Sequence, residues 1–212
     1  MVSRGLLVAG VRAGYDRLAG AYAAHVGGEL AGKPGDRRLL DELASRRSGA
    51  GPVGDLGCGP GHVAAWLATR QVPVVGVDLS PGMLAQAPAG LPVAAGDLLS
   101  LPLGDGVLSA ALAFYSLIHL PVGTEVAALA EVRRVLAPGA SLLAAVHVGT
   151  EVRHVDEMWG QPVSLDFRFF RVADLTGWMR EAGLRVEDVL VRDHLPGVEV
   201  ETRRAYVRAV RR

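Results

Sequence analysis

The chain has 212 residues, 50% of them hydrophobic and 21% charged, with 22 basic residues balanced by 22 acidic ones. That length suits one domain with a substantial core, and a neutral surface argues against nucleic acid as the main partner, since phosphate recognition draws on a basic excess. Cys58 is the only cysteine, so no internal disulfide exists and a cytoplasmic protein is expected.

The apolar patch near the N-terminus, LLVAG, is too short for the core of a signal peptide. The longest apolar run, VLSAALAFYSLIHLPV (107–122), is shorter than the roughly 18 residues that suggest a membrane span, so no membrane partner is expected. All basic residues but Lys33 are arginine, which reads as coding bias rather than function.

Residues 11–48 place Tyr15, Leu18, Tyr22 and Val26, then Leu39, Leu40 and Leu43, at helical intervals, with breaks at Gly27-Gly28 and Lys33-Pro34-Gly35. From residue 53 short apolar runs alternate with helical stretches. VGDLG, PVVGVDL, LPVAAGD, SAALAFY and ASLLAAVHVG read as strands. GHVAAWLATR, SPGMLAQA, GTEVAALAEVRRVLAP and RVADLTGWMREAG read as helices, the second capped by Ser80, the third ended by Pro138-Gly139 and the last by Gly183. This order predicts a mostly parallel sheet with helices on both faces. The last two strands, 184–193 and 202–210, are joined by too short a link for a parallel crossover and should pair antiparallel. Residues 149–172 are expected to form a long irregular insert overhanging the cleft.

The stretch GDLGCGPGHVAAWLA (54–68) carries the chemistry. It lacks the lysine of a phosphate-cradling loop. Its glycines stand at 57, 59 and 61, with His62 where a dinucleotide turn needs its third glycine, so a pyrophosphate fits poorly. A tight strand-to-helix turn remains, with amides free to hold a carboxylate. Asp78, 21 residues after Gly57 at the next strand tip, is placed to accept both hydroxyls of a ribose, and Asp97-Leu98 at a third tip suits an adenine edge and ring. The ligand these residues describe is an adenosine bearing a carboxylate and no phosphate.

DLGCGPG, VDLSPGML, AGDLLSLP and FYSLIHL together resemble the successive motifs of class I S-adenosylmethionine-dependent methyltransferases, and the segment before them resembles the N-terminal lid of bacterial small-molecule methyltransferases. The resemblance implies a Rossmann-like, doubly wound, seven-stranded sheet with the last strand antiparallel. It implies one domain over 1–212, with a helical lid at 1–48 and a cofactor-binding core at 49–212. The strand before Asp55, AGPVG, is less apolar than the family pattern, so a short or irregular first strand is expected.

Carried over by position, the resemblance puts Asp55, Gly57, Gly59 and Gly61 along the methionine half of the cofactor. Asp78 would hold the ribose, with Leu79 and Met83 near the adenine, and Asp97 and Leu98 at its edge. Tyr15 and Tyr22 would close over the sulfonium, or else pack as one face of an amphipathic helix. Lys33 would reach the methionine carboxylate, or else be a solvated loop lysine. Tyr115 and Ser116 would stand beside the sulfonium and the acceptor. His119 and His147, at the carboxyl edge of the sheet, are the candidate bases. Arg153, His154, Trp159 and Phe167 are expected at the acceptor, against the alternatives of a surface arginine and a minor apolar cluster under the loop. His147, His154 and Asp156 lack the helical register of a zinc pair, so no metal is expected. His25, His62 and His194 read as structural or surface residues.

The expected activity is methyl transfer to a small, apolar or aromatic metabolite of bacterial secondary metabolism, at oxygen or nitrogen, releasing S-adenosyl-L-homocysteine. The alternative is a protein of the same fold that uses the bound sulfonium to steer a cyclisation or rearrangement. A homodimer is left open.

Overall fold

Strand β1 (Val53–Leu56) is buried at all four positions, and β4 (Leu108–Phe114) at six of seven. Continuous apolar runs of this kind need cover on both faces, which helices provide in parallel sheets. The computed structural model, which describes residues 4–212, builds that arrangement. Residues 1–3 of the expected lid lie outside the described residues.

In chain order the elements are α1 (Arg4–Val26), a 3-10 turn (Glu29–Gly32), α2 (Pro34–Ser45), β1, α3 (His62–Ala68), β2 (Val74–Asp78), α4 (Pro81–Leu84) and β3 (Val93–Ala95). After β4 follow a second 3-10 turn (Leu117–His119), α5 (Glu125–Val135), β5 (Leu136–His147), β6 (Val152–Met158), β7 (Gln161–Arg168), α6 (Val172–Glu181), β8 (Leu184–Arg192) and β9 (Arg204–Arg211). Seven strands form one sheet in the order β3-β2-β1-β4-β5-β9-β8, and β9 alone runs antiparallel, against both β5 and β8. The order reverses between β1 and β4, which opens a crevice at their carboxyl ends, where ligands of such sheets bind. The first strand is short, as its composition suggested.

One apolar cluster, with Leu129, Val132 and Met179, fills the α5/α6 face, and a second, with Leu40, Leu67 and Leu112, fills the α2/α3 face. Truncating the fully buried Leu112 to alanine should cost about 2–5 kcal/mol. A third cluster, Leu18, Ala19, Met83, Val163 and Leu165, joins α1 to α4 and β7.

Helix α1 is seated closely. A Cβ on Gly14 would lie 2.8 Å from Leu165 Cδ2, and one on Gly82 would lie 2.9 Å from the backbone of Asp16. Asp16 in turn accepts hydrogen bonds from Ser80 Oγ at 2.6 Å and the Gly82 amide at 2.8 Å, while Ser80 caps α4 by accepting from the Met83 amide. No helix among the described residues is long and apolar enough to cross a membrane.

Two segments differ from expectation. Helix α5 ends at Val135 rather than at Pro138-Gly139, because Leu136 already pairs with Leu108 of β4. The insert at 149–172 is mostly regular: β6 and β7 form an antiparallel hairpin apart from the main sheet. Its turn is Trp159-Gly160, with φ of 50° and 75°, the positive pair that two-residue hairpins require. Val163, Leu165 and Phe167 alternate along β7 and face α1 and the cleft, the period-two signal that marks the strand.

Candidate active site

A cavity of about 510 Å³ lies over the carboxyl ends of β1, β2 and β4, roofed by α1 and the β6–β7 hairpin. Its floor is the glycine turn. Gly57, Gly59 and Gly61 all have positive φ, and a Cβ on Gly57 would lie 2.2 Å from Ser116 Cβ, so only glycine lets the chain pass there. Gly59, which faces open space up to Tyr22 at 3.8 Å, leaves the room that a ligand needs.

Asp78 ends β2 at this turn. The Gly59 amide donates to one carboxylate oxygen at 2.8 Å and the Ser80 amide to the other at 2.9 Å, so the group is oriented with lone pairs to spare. Burial raises its pKa against these two bonds. Asp97 and Leu98 line the far end of the cavity, with Asp97 accepting from the Leu99 amide at 2.9 Å. Leu79 and Met83 complete that end.

Lys33 also lines the cavity. Its side chain is only 8% exposed and donates to Glu29 at 2.7 Å, which replaces the picture of a solvated loop lysine. Glu29 is shared with His62 at 2.9 Å, and these bonds hold its carboxyl below the usual range although burial works the other way. Asp55 and Gly61 do not reach the cavity surface. Asp55 lies behind the turn with Oδ2 unpartnered, and burial pushes its carboxyl up to about 7. Gly61 starts α3 against Leu91.

The other end of the cavity is aromatic. Tyr15, Tyr22, Tyr115, His119, His147 and Phe167 all contribute, and Ser116 stands beneath them with its hydroxyl on the Leu56 carbonyl at 2.7 Å. Tyr115 holds a positive φ of 56°, an uncommon conformation for a bulky residue, at the tip of β4. Tyr15 and Tyr22 pack on the Leu18–Met83–Leu165 cluster, as one reading has it, and also line the cavity. His119 donates from Nδ1 to the Asp166 carbonyl at 3.0 Å and accepts at Nε2 from Tyr15 at 2.7 Å. Burial lowers its pKa to about 4. His147 lies between Tyr115 and Phe169, and burial, with Arg204 and Arg153 nearby, lowers its pKa to about 4 as well.

Trp159 lines the cavity from the hairpin tip and stacks on His25 at 4.4 Å. Arg153 and His154 do not line it. Both belong to strand β6 rather than to a loop, Arg153 over Phe169 and the exposed His154 bound to Asp166 at 2.6 Å and Asp156 at 3.0 Å. Phe170 is core. The cavity also takes Glu29, Glu199 and Arg204, which the sequence reading did not single out, and His25, which it read as structural or surface. Among the described residues, no group of three or more His, Cys, Asp or Glu is arranged to hold a metal ion.

Residues 53–139 match the family model of the methyltransferase domain. The chain is 30% identical over 154 residues to a malonyl-[acyl-carrier protein] O-methyltransferase of Serratia marcescens, an alignment covering 71% of this chain and 58% of that one. The chain spans 32–58% of the length of the curated relatives it matches. Among solved structures, a Burkholderia thailandensis 1,6-didemethyltoxoflavin-N1-methyltransferase superposes with a TM-score of 0.71 at 17% identity, covering 100% of this chain and 91% of that one. The [4+2]-cyclase SpnF superposes with a TM-score of 0.61 at 21% identity, covering 82% and 80%. Residues 53–139 carry the matched methyltransferase domain, and the sheet order is that of the class I S-adenosylmethionine-dependent methyltransferases. The cofactor of that class is S-adenosylmethionine, and the residues here fit it: a glycine cradle with room above Gly59, an oriented carboxylate at Asp78, and His62 where a pyrophosphate-binding turn needs a glycine.

Proposed function

We propose that the protein transfers a methyl group from S-adenosylmethionine to a small, flat, largely apolar acceptor, at oxygen or, as the second choice, at nitrogen. The observation that carries this reading is one cavity running from Asp78 and the glycine turn to an aromatic end with two neutral histidines. When bound, the cofactor supplies an electrophilic methyl group whose sulfur leaves as a neutral thioether. Gly57 and Gly59 would pass beneath the methionine half, Asp78 would hold the ribose, and Asp97 and Leu98 would meet the adenine. Lys33 would reach the carboxylate.

The protein's own part is orientation and the removal of one proton. Holding the reactants in line can lower the barrier by about 7–11 kcal/mol. A positioned base adds roughly 10²–10⁴-fold. An imidazole whose conjugate acid has a pKa of about 4 is unprotonated near neutral pH but weakly basic, so it suits an acidic O–H such as a phenol or enol. The aromatic walls, among them Tyr115, Phe167 and Trp159, favour a planar acceptor through stacking.

The likeness to a [4+2]-cyclase supports a second reading, in which the bound sulfonium serves as a fixed charge for a cyclisation. Incubation with S-adenosylmethionine and a panel of phenols, enols and aromatic amines separates the two. Stoichiometric S-adenosylhomocysteine and a methylated product support transfer. Product formation from a polyene without S-adenosylhomocysteine overturns it in favour of the cyclase.

A further inference from the structure

We propose that His147 is the base at the acceptor and that Thr202 positions it by fixing which ring nitrogen carries the proton. This rests on the methyl-transfer reading and deepens it by separating the two histidines. His119 has both nitrogens taken, Nδ1 by the Asp166 carbonyl and Nε2 by the Tyr15 hydroxyl. It has no lone pair left for an acceptor while α1 is in place.

His147 has one nitrogen taken. Nδ1 lies 2.9 Å from Thr202 Oγ1, whereas Nε2 meets no protein group among the described residues and is not a buried orphan, so it opens on the cavity that the ring lines. The Thr202 hydroxyl donates to the Val200 carbonyl at 3.4 Å. With the hydroxyl turned to Val200, its oxygen receives Nδ1–H of His147, and the proposed tautomer leaves the lone pair on Nε2. The ring plane is held by Tyr115 at 4.8 Å and Phe169 at 5.2 Å, inclined by only 30° and 29°.

Thr202 is itself braced from behind. Arg204 donates to the carbonyls of Thr202 at 2.7 Å and Val200 at 3.0 Å. Glu199 binds Arg204 at 3.3 Å and Arg192 at 2.6 Å, and Arg192 reaches Asp36 of α2 at 3.0 Å. This buried ionic network fixes the turn that presents Thr202, which gives the network a purpose beyond packing. In the reaction the acceptor oxygen bonds to the methyl carbon as the carbon–sulfur bond breaks, and the acceptor proton passes to Nε2. The imidazolium formed replaces the positive charge lost at sulfur and then returns its proton to water.

The test is the tautomer of His147, read from ring ¹⁵N–¹H correlations of histidine-labelled protein near neutral pH, with the signals assigned by His147→Gln. Wild type and Thr202→Ser should carry the proton on Nδ1. Thr202→Val, close in shape but unable to accept, leaves a buried N–H facing a methyl group and should move the proton to Nε2. With catechol as the acceptor probe, Thr202→Val should lower kcat by roughly 10²-fold, with Thr202→Ser restoring it. An Nε2–H tautomer in the wild type, an unchanged spectrum in Thr202→Val, or equal kcat in the two proteins would overturn the proposal. A wild type that does not bind S-adenosylmethionine would sink the methyl-transfer reading, and with it the base role, while the tautomer spectrum still reports on Thr202.

Discussion

Tyr15 on helix α1 donates its hydroxyl to Nε2 of His119, 2.7 Å away and 104 residues later in the chain, so α1 is latched to the turn that follows β4. The two rings also meet edge to face at 5.2 Å. The latch closes over the cavity that both residues line. Removing the hydroxyl should loosen α1 without dismantling the sheet. Tyr15→Phe is expected to cost about 1–3 kcal/mol of stability, the penalty for leaving the buried imidazole nitrogen unpaired. Amide exchange along α1 should speed up while the central strands stay protected. Unchanged exchange in α1 would show that the latch carries no strain or closure.

The glycine turn offers a contrast between two neighbours. Gly57→Ala puts a Cβ into Ser116 and forces a left-handed residue, so it should lower the melting temperature, with the backbone term alone about 1–2 kcal/mol. Gly59→Ala also has positive φ but faces open space, and its Cβ occupies the room above the turn. It should fold with a smaller loss and bind S-adenosylmethionine more weakly. Calorimetry and thermal melts on the two variants check the order. Equal binding by Gly59→Ala and wild type would mean that the ligand does not lie over this turn.

Much of this end of the site was legible from the chain. The glycines, Asp78 and Asp97 each fall where a short apolar run stops, and strand tips in a parallel sheet share one edge. The acceptor end was less so. His25, read as structural or surface, is exposed, but its stacking on Trp159 was not legible because Trp159 comes from a hairpin taken for irregular chain. Glu199 sits in a loop without periodicity, Thr202 sits just before the last strand and Arg204 at its start, and their roles arise only when Asp36, Arg192 and His147 converge from other elements. Burial of Lys33 likewise depends on Glu199, which no local pattern announces.

The two histidines also set an acid limit. Burial lowers both imidazoles to about 4, below the unfolded value of about 6.5, so between those pH values the unfolded chain binds more protons and folding weakens as pH falls. Each contributes up to about 1.4 kcal/mol per pH unit in that window. Asp55, raised to about 7, acts in the opposite sense, its neutral form being favoured in the fold until pH rises through that value. Asp78, whose carboxyl burial also raises, acts with Asp55, while Glu29 and Glu199, held low by their partners, act with the histidines. His147→Gln should make the fall in melting temperature between about pH 6.5 and 4.5 shallower than in wild type. Parallel curves would show that His147 is already charged in the folded protein.

The central claim is that the cavity takes an adenosine with an amino-acid tail rather than a dinucleotide. Calorimetric titration of S-adenosylmethionine and, separately, NAD into wild type and Asp78→Ala tests it most directly. The expected result is binding of S-adenosylmethionine to wild type, a Kd raised roughly 10–100-fold by loss of the charged hydrogen-bond acceptor, and no binding of NAD. Binding of NAD in place of S-adenosylmethionine, or an Asp78→Ala protein that binds S-adenosylmethionine as tightly as wild type, would contradict it.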